Sequence, residues 1–246
     1  MKPLSARLQM LADMVTPGNR VADVGCDHGF LSIYLVQTGI SPRVIAMDVR
    51  KDPLAAAGEH IRESKLGGYI ETRLSNGLAA LEPEEVDTVV CAGMGGRLME
   101  RILREGSAKA EALKELILQP QSEIPEFRLF LRKTGYEITD ENIVYDGGKY
   151  YFAMRVIPRS DRQSAVPQKE RERLYDKFGE KLLLKRHPVL EQYLRWQENT
   201  AAALVRQLEA EESERARSRL SQVESELGDI RAALDYFEGS YKICGK

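Results

Sequence analysis

Cysteine is scarce in this chain: Cys26, Cys91 and Cys244 lie far apart and without metal-ligand spacing. An odd number does not make a disulfide framework, so a reducing cytoplasmic setting without a metal centre is expected. An excess of charge of either sign is also missing. With a formal net charge of -2, the chain carries no global basic field, and any contact with nucleic acid must use a local patch. Long apolar runs are absent as well. Nothing approaches the roughly 18 residues of a membrane span, and Lys2, Arg7 and Asp13 interrupt the first apolar positions, so neither an export signal nor a membrane anchor is expected. What remains is the composition of an ordinary soluble protein, long enough at 246 residues for a sizeable core.

What is present is organised around Val21-Ala-Asp23-Val-Gly25-Cys26-Asp27-His28-Gly29-Phe30. The apolar run predicts a short buried parallel strand, the two glycines a tight turn, and Leu31, Tyr34 and Leu35 a helix from Phe30 to Gln37. Such a turn lets a ligand lie against bare backbone at a helix N-terminus, although it also occurs in α/β proteins with no ligand there. Before it, Leu4, Leu8, Leu11, Ala12 and Val15 predict an amphipathic helix that stops at Thr16-Pro17-Gly18-Asn19. After it, residues 43–48 predict a second buried strand, ending in Asp48, and 53–64 another helix. An acid at that place, 23 positions beyond Gly25, can accept hydrogen bonds from both hydroxyls of a ribose; it can also be a solvated strand-end residue or a helix N-cap.

A third strand is predicted over 69–75, closed by Asn76-Gly77, which is either a border for an adenine edge or simply a turn. A fourth, Val86 to Cys91, runs into a second glycine-rich turn, Ala92-Gly93-Met94-Gly95-Gly96, with a helix over 97–104. A fifth, Leu116 to Ser122, precedes a helix over about 124–133. The runs Tyr136 to Tyr145 and Lys149 to Ile157 flank Asp146-Gly147-Gly148, a link too short for a crossover helix, so they predict an antiparallel hairpin rather than a further βαβ unit.

Residues 158–167 are polar and aperiodic, as expected of a linker. Beyond it, Leu190, Leu194, Gln197, Ala201, Leu204, Leu208 and Glu211 step by four and three, as do Ala216, Leu220, Val223, Leu227, Ile230, Leu234 and Phe237. Two helices joined near 212–215 are predicted, docking on the stripe Leu174, Phe178, Leu182 and Leu183. This pair reads either as a structural hairpin or dimer seam or as an RNA-gripping arm, for which Lys181, Lys185, Arg186 and His187 form the best local basic cluster.

The whole is an α/β domain with a seven-stranded sheet ending in an antiparallel hairpin, plus a C-terminal α-helical coiled-coil extension. It resembles a class I (Rossmann-like) methyltransferase using S-adenosylmethionine. On the residues Asp23-Val-Gly-Cys-Asp-His28, Ala92-Gly-Met-Gly-Gly96, Leu118-Gln-Pro-Gln121, Gly148-Lys-Tyr-Tyr151 and Leu4-Ser-Ala-Arg-Leu8, it is similar to the bacterial TrmK family, which methylates N1 of adenine 22 in tRNA. That resemblance implies a methyltransferase domain over 1–158, a helical domain over 168–240 that helps to hold tRNA, and a monomer or weak homodimer.

It also implies roles. Asp23, Gly25 and Cys26 would border the methionine part of the cofactor, and Asp27 would pair with its ammonium group. Asp48 and Val49 would hold the ribose, Asn76 and Gly77 would border the adenine, and Ala92, Gly93 and Met94 would line the space between sulfonium and incoming base. Asp27 or His28 would favour the cationic product and later loss of its N6 proton. Gln119, Pro120, Gln121 and Tyr150 would meet the substrate, with Met94, Phe30 and Tyr151 as further clamp candidates for an extruded base; Lys181, Lys185 and Arg186 would meet RNA elsewhere. The chain lacks the Asn-Pro-Pro-aromatic tetrapeptide of many methyltransferases acting on exocyclic amines, which suits a ring nitrogen whose lone pair is already exposed. Competing readings are a methyltransferase with a non-RNA substrate and a noncatalytic S-adenosylmethionine-binding scaffold.

Overall fold

Ser5 starts the first helix, α1 (Ala6–Met14), by accepting a hydrogen bond from the Leu8 N–H at 3.3 Å. The computed structural model describes residues 3–159, 169–211 and 213–238. The chain then alternates strand and helix: β1 (Val21–Val24), α2 (Phe30–Gln37), β2 (Val44–Asp48), α3 (Lys51–Glu63), β3 (Ile70–Leu74), β4 (Thr88–Met94), α4 (Gly96–Glu105), α5 (Ser107–Glu111), β5 (Glu115–Pro120) and α6 (Ile124–Lys133). The long hairpin β6 (Tyr136–Asp146) and β7 (Lys149–Pro158) completes the sheet.

All seven strands lie in one sheet of order β3-β2-β1-β4-β5-β7-β6. β1 to β5 are parallel, whereas β7 runs antiparallel to both β5 and β6. Every residue of β1, β2 and β5 is buried, as strands covered on both faces require, while the edge strand β3 alternates. Ala22, Val24, Ile45 and Met47 point into a core closed by Met99, Ile102, Phe127 and Leu131 of α4 and α6. Their neighbours Val21, Val44 and Ala46 point the other way, into a core closed by α1, α2 and α3 through Leu11, Leu35 and Ile61. The hairpin turn has positive φ at both Gly147 (55°) and Gly148 (84°), the conformation that matches strand twist in a two-residue loop.

Several boundaries differ from the sequence expectation. The fourth strand begins later, at Thr88, and runs through Ala92 and Gly93 to Met94, with a register shift where Met94 pairs Pro120. Part of the second glycine cluster is therefore sheet, because β5 supplies partners for it. The fifth strand ends at Pro120, and α3 begins at Lys51 with Pro53 inside its first turn. The short α5 has no apolar period of its own to announce it.

The chain divides into two compact units, Met1–Ala165 and Val166–Lys246. In the second, the expected stripe is split by Gly179 into α7 (Lys169–Phe178) and α8 (Glu180–Leu184), with Phe178, Leu182 and Leu183 buried. Helices α9 (Pro188–Glu209) and α10 (Glu214–Leu234) pack on each other, burying Leu190, Leu194, Val223, Leu227, Ile230 and Leu234. Ser213 accepts from the Ala216 N–H at 3.1 Å to start α10, and Asp229 holds both Arg173 and Lys177 of α7. The linker expected over 158–167 lies, from residue 160 on, outside the described residues, as does Cys244.

Candidate functional site

Parallel strands deliver all their carboxyl ends to one rim. From β1 the chain moves outward to β2 and β3, then returns across the sheet to β4 on the other side of β1. The two connections diverge there, so a crevice opens at the rim between β1 and β4. Both glycine turns border it.

On the β1 side, Asp23 is buried, and its Oδ2 accepts from Ser32 Oγ of α2 at 2.7 Å. Burial pushes its carboxyl up to about 6; the Ser32 bonds work against this rise, and the nearby Asp48 charge adds to it. Asp23 therefore braces the turn from behind. The Gly25 and Cys26 N–H groups donate to the Met47 carbonyl at 2.8 and 2.9 Å, pinning the turn to β2. Gly25 has φ 78°, and a Cβ there would fall 2.3 Å from Met94 Cε, so the Met94 side chain reaches across the crevice onto the glycine. Asp27 (φ 49°) and His28 are exposed beyond it, 3.9 Å apart. Phe30 stacks on His60 of α3 with ring centroids 4.9 Å apart, and His60 Nδ1 lies 2.9 Å from the His28 carbonyl oxygen.

At the end of β2, Asp48 is buried at the rim. Its Oδ1 accepts from the Arg50 N–H at 2.9 Å; because Arg50 is the N-cap of α3 and the carboxylate is buried, Asp48 is neither the helix N-cap nor the solvated strand-end residue of the alternative reading, and among the described residues Oδ2 has no hydrogen-bond partner. The Ser75 N–H donates to the Asp48 carbonyl at 2.9 Å, bringing the loop of exposed Asn76 and buried Gly77 beside it. Val49 is 63 % exposed on the same rim.

The β4 side is organised by a residue that sequence reasoning did not single out. The Arg7 N–H donates to Asp146 Oδ2 at 3.0 Å, fastening the start of α1 to the β6–β7 turn. Arg7 Nε donates to Gln119 Oε1 at 2.8 Å, and the guanidinium sits 5.2 Å from the Tyr151 ring centroid. A Cβ on Gly93 (φ 80°) would lie 2.6 Å from Arg7 Nη2 and 3.7 Å from Gln121 Nε2. The half-buried guanidinium thus lies against bare backbone. Gln119 and Pro120 are buried; Gln121 is exposed, its N–H bound to the Met94 carbonyl at 2.9 Å. Tyr150 faces the opposite side of β7 from Tyr151 and packs on Tyr145 at 4.7 Å.

Among the described residues the thiols are Cys26 and Cys91, and both are buried. Burial pushes Cys91 up to about 12, with Asp23 adding to the rise, and raises Cys26 still further, with Asp23 and Asp48 adding to it. Both stay protonated at neutral pH. Among the described residues no group of three or more His, Cys, Asp or Glu is arranged to hold a metal ion, and no helix is long and apolar enough to cross a membrane.

The fold thus gathers Asp23, Gly25, Cys26 and Met94 at the crevice, Asp48 with Asn76 and Gly77 along the outer rim, and Gly93, Gln119 and Gln121 with Arg7 and Tyr151 on the far side. Lys181, Lys185 and Arg186 belong to the second unit, where Lys181 Nζ lies 3.4 Å from Glu180 and the other two are exposed. Ser32 and Arg7 escaped notice because their partners, Asp23 and Gln119, are separated from them by 9 and 112 positions. The signals for Arg7 were a lone arginine inside the apolar period of the first helix and its place in Leu4-Ser-Ala-Arg-Leu8, neither of which gave it a role.

Residues 4–154 match the family described as a methyltransferase domain. The chain is 35% identical over 162 residues to the tRNA (adenine(22)-N(1))-methyltransferase of Bacillus subtilis, covering 66% of this chain and 68% of that protein. Among solved structures, Streptococcus pneumoniae Sp1610 in complex with S-adenosyl-L-methionine superposes with a TM-score of 0.78 at 33% identity, covering 94% of this chain and 100% of the other. Mycoplasma capricolum TrmK in complex with S-adenosyl-homocysteine superposes with a TM-score of 0.77 at 25% identity, covering 95% and 98%. The rim built by β1, β2 and β4, and a match that spans nearly all of the first unit, lead to one conclusion: the chain belongs to the methyltransferase-domain family, with the bacterial tRNA (adenine(22)-N(1))-methyltransferases as its relatives.

Proposed function

We propose that the protein transfers a methyl group from S-adenosylmethionine to N1 of adenine 22 of tRNA, the reaction for which its Bacillus subtilis relative is named. The crevice fits such a cofactor. Gly25 offers backbone with no side chain, Asp48 keeps its Oδ2 without a hydrogen-bond partner among the described residues, and Asn76 is exposed beside it. When bound, S-adenosylmethionine supplies a methyl group on a cationic sulfur, an electrophile that needs no metal.

In this reading, Gly25, Cys26 and Asp27 take the methionine part, with the Asp27 carboxylate toward its ammonium group. Asp23 acts behind them by fixing the turn through Ser32. Asp48 accepts from the ribose hydroxyls, with Val49 against the sugar, and Asn76 and Gly77 border the adenine. Ala92, Gly93 and Met94 line the passage to the acceptor. Gln119, Pro120, Gln121, Tyr150 and Tyr151 serve the acceptor base, while Lys181, Lys185 and Arg186 of the second unit meet the RNA backbone. N1 of adenine attacks with its own lone pair, so the residues around it need only hold it in line with the methyl group. The product base is cationic; a carboxylate beside it favours that charge, and Asp27 or His28 is the candidate for assisting the later loss of its N6 proton.

The observation that carries this reading is the coincidence of the β1–β4 crevice with kinship to a tRNA methyltransferase over 162 residues. Incubation of an unmodified tRNA transcript with the protein and S-adenosylmethionine, followed by mass analysis of the nucleosides, tests it. 1-Methyladenosine should appear with adenine at position 22 and vanish when that base is changed. No methylation of the transcript, with transfer instead to a protein or small molecule, would remove the RNA assignment.

A further inference from the structure

We propose that the Arg7 guanidinium binds a phosphate of the RNA backbone beside the base being methylated, and so seats the acceptor nucleotide against the β4–β5 corner. Three contacts fix the group: Gln119 Oε1 at 2.8 Å, the Tyr151 ring at 5.2 Å, and the bare backbone of Gly93. None of them neutralises it. Among the described residues, no carboxylate lies within ion-pair distance of the Arg7 guanidinium, and the one acid that binds Arg7, Asp146, takes its backbone N–H. A half-buried cation with amide and ring neighbours and unused N–H donors is matched by an arriving anion.

Location decides which anion. The proposed contacts with the methionine part, ribose and adenine follow β1, β2 and β3, whereas the Arg7 guanidinium touches β4, β5 and β7, on the acceptor side of the passage lined by Ala92, Gly93 and Met94. Charge movement agrees. Methyl transfer carries a positive charge from sulfur to the base, and an unneutralised arginine beside that base would oppose it; a phosphate on the guanidinium cancels the opposition. Gln119 and Tyr151 orient the fork, and Gly93, lacking a Cβ, lets it approach the passage.

The inference rests on the RNA methyltransferase reading, and the test separates the two. Arg7→Ala and Arg7→Lys are compared with the unaltered protein for S-adenosylmethionine affinity by calorimetry, for tRNA affinity across a salt series, and for thermal unfolding. Arg7→Ala should weaken tRNA binding about 10-fold or more and lower the slope of log K against log salt by about 0.7 to 0.9, leaving cofactor affinity unchanged. Arg7→Lys should keep the slope but recover only part of the affinity, since an ammonium lacks the planar fork. An unchanged tRNA affinity and slope in Arg7→Lys and Arg7→Ala, or a loss confined to cofactor affinity, would overturn the proposal. If the unaltered protein neither binds nor methylates tRNA, the functional reading itself falls and takes this inference with it.

Discussion

At the scale of single residues, Asp48 and Asp23 show how two acids a few ångströms from one turn acquire different duties. Asp48 spends one oxygen on the Arg50 N–H and keeps the other for a donor, so Asp48→Ala should weaken S-adenosylmethionine binding by roughly 10- to 100-fold, the worth of a charge-assisted hydrogen bond. Calorimetry checks this, with a urea titration showing that the variant remains folded. Asp23 has no such opening. Its folded pKa, about 6, stands above the ordinary 3.8, so the native state holds the proton more tightly than the unfolded chain does. That advantage is complete below pH about 4 and is lost as the pH rises through 6, leaving the charged, buried carboxylate as a cost. Asp23→Asn does not titrate. Relative to it, the unaltered protein should lose about 3 kcal/mol of stability between acid and neutral pH, read from urea midpoints at each pH.

At the scale of elements, the acceptor corner depends on how firmly α6 is held against β6. Arg128 of α6 and Glu141 of β6 are almost wholly buried and meet at 2.8 Å. Removing one partner strands the other charge in the core, so Glu141→Leu should cost about 3–5 kcal/mol. Replacing both, Arg128→Met with Glu141→Leu, should recover most of that loss; urea midpoints of the three proteins decide. Because α6 follows directly on the Gln119–Ser122 segment, the single variant should also lose methyl transfer before it loses cofactor binding. The hairpin matters similarly. Its Asp146 holds α1 by the Arg7 N–H, so the antiparallel end of the sheet also sets the position of Arg7 beside Gln119 and Tyr151.

At the scale of the whole molecule, charge is nearly balanced, so tRNA affinity must come from a few cations in place rather than from a field. Replacing Lys181, Lys185 and Arg186 together by alanine should reduce tRNA affinity and flatten its salt dependence by up to about two to three slope units, one for each phosphate left without its cation, while S-adenosylmethionine affinity stays the same. Filter binding over a range of salt concentrations gives the number directly; an unchanged slope would assign those cations to solvated surface.

Local pattern by itself settled the existence and order of the seven strands and of every helix of the first unit but α5, the first glycine turn and the acid at the tip of β2, because burial on both faces and backbone freedom leave marks that span only a few neighbouring residues. It likewise set the spacing of α9 and α10, whose apolar repeat is a property of each helix alone. Only the folded chain decided that β4 runs on to Met94, since its last partners come from β5, and that Asp23 is bonded by Ser32 of α2. Only folding joined Arg7, Gly93, Gln119 and Tyr151, which no spacing rule connects: a sheet gathers its strand ends by topology, and sequence distance carries no record of that gathering until the strands have paired.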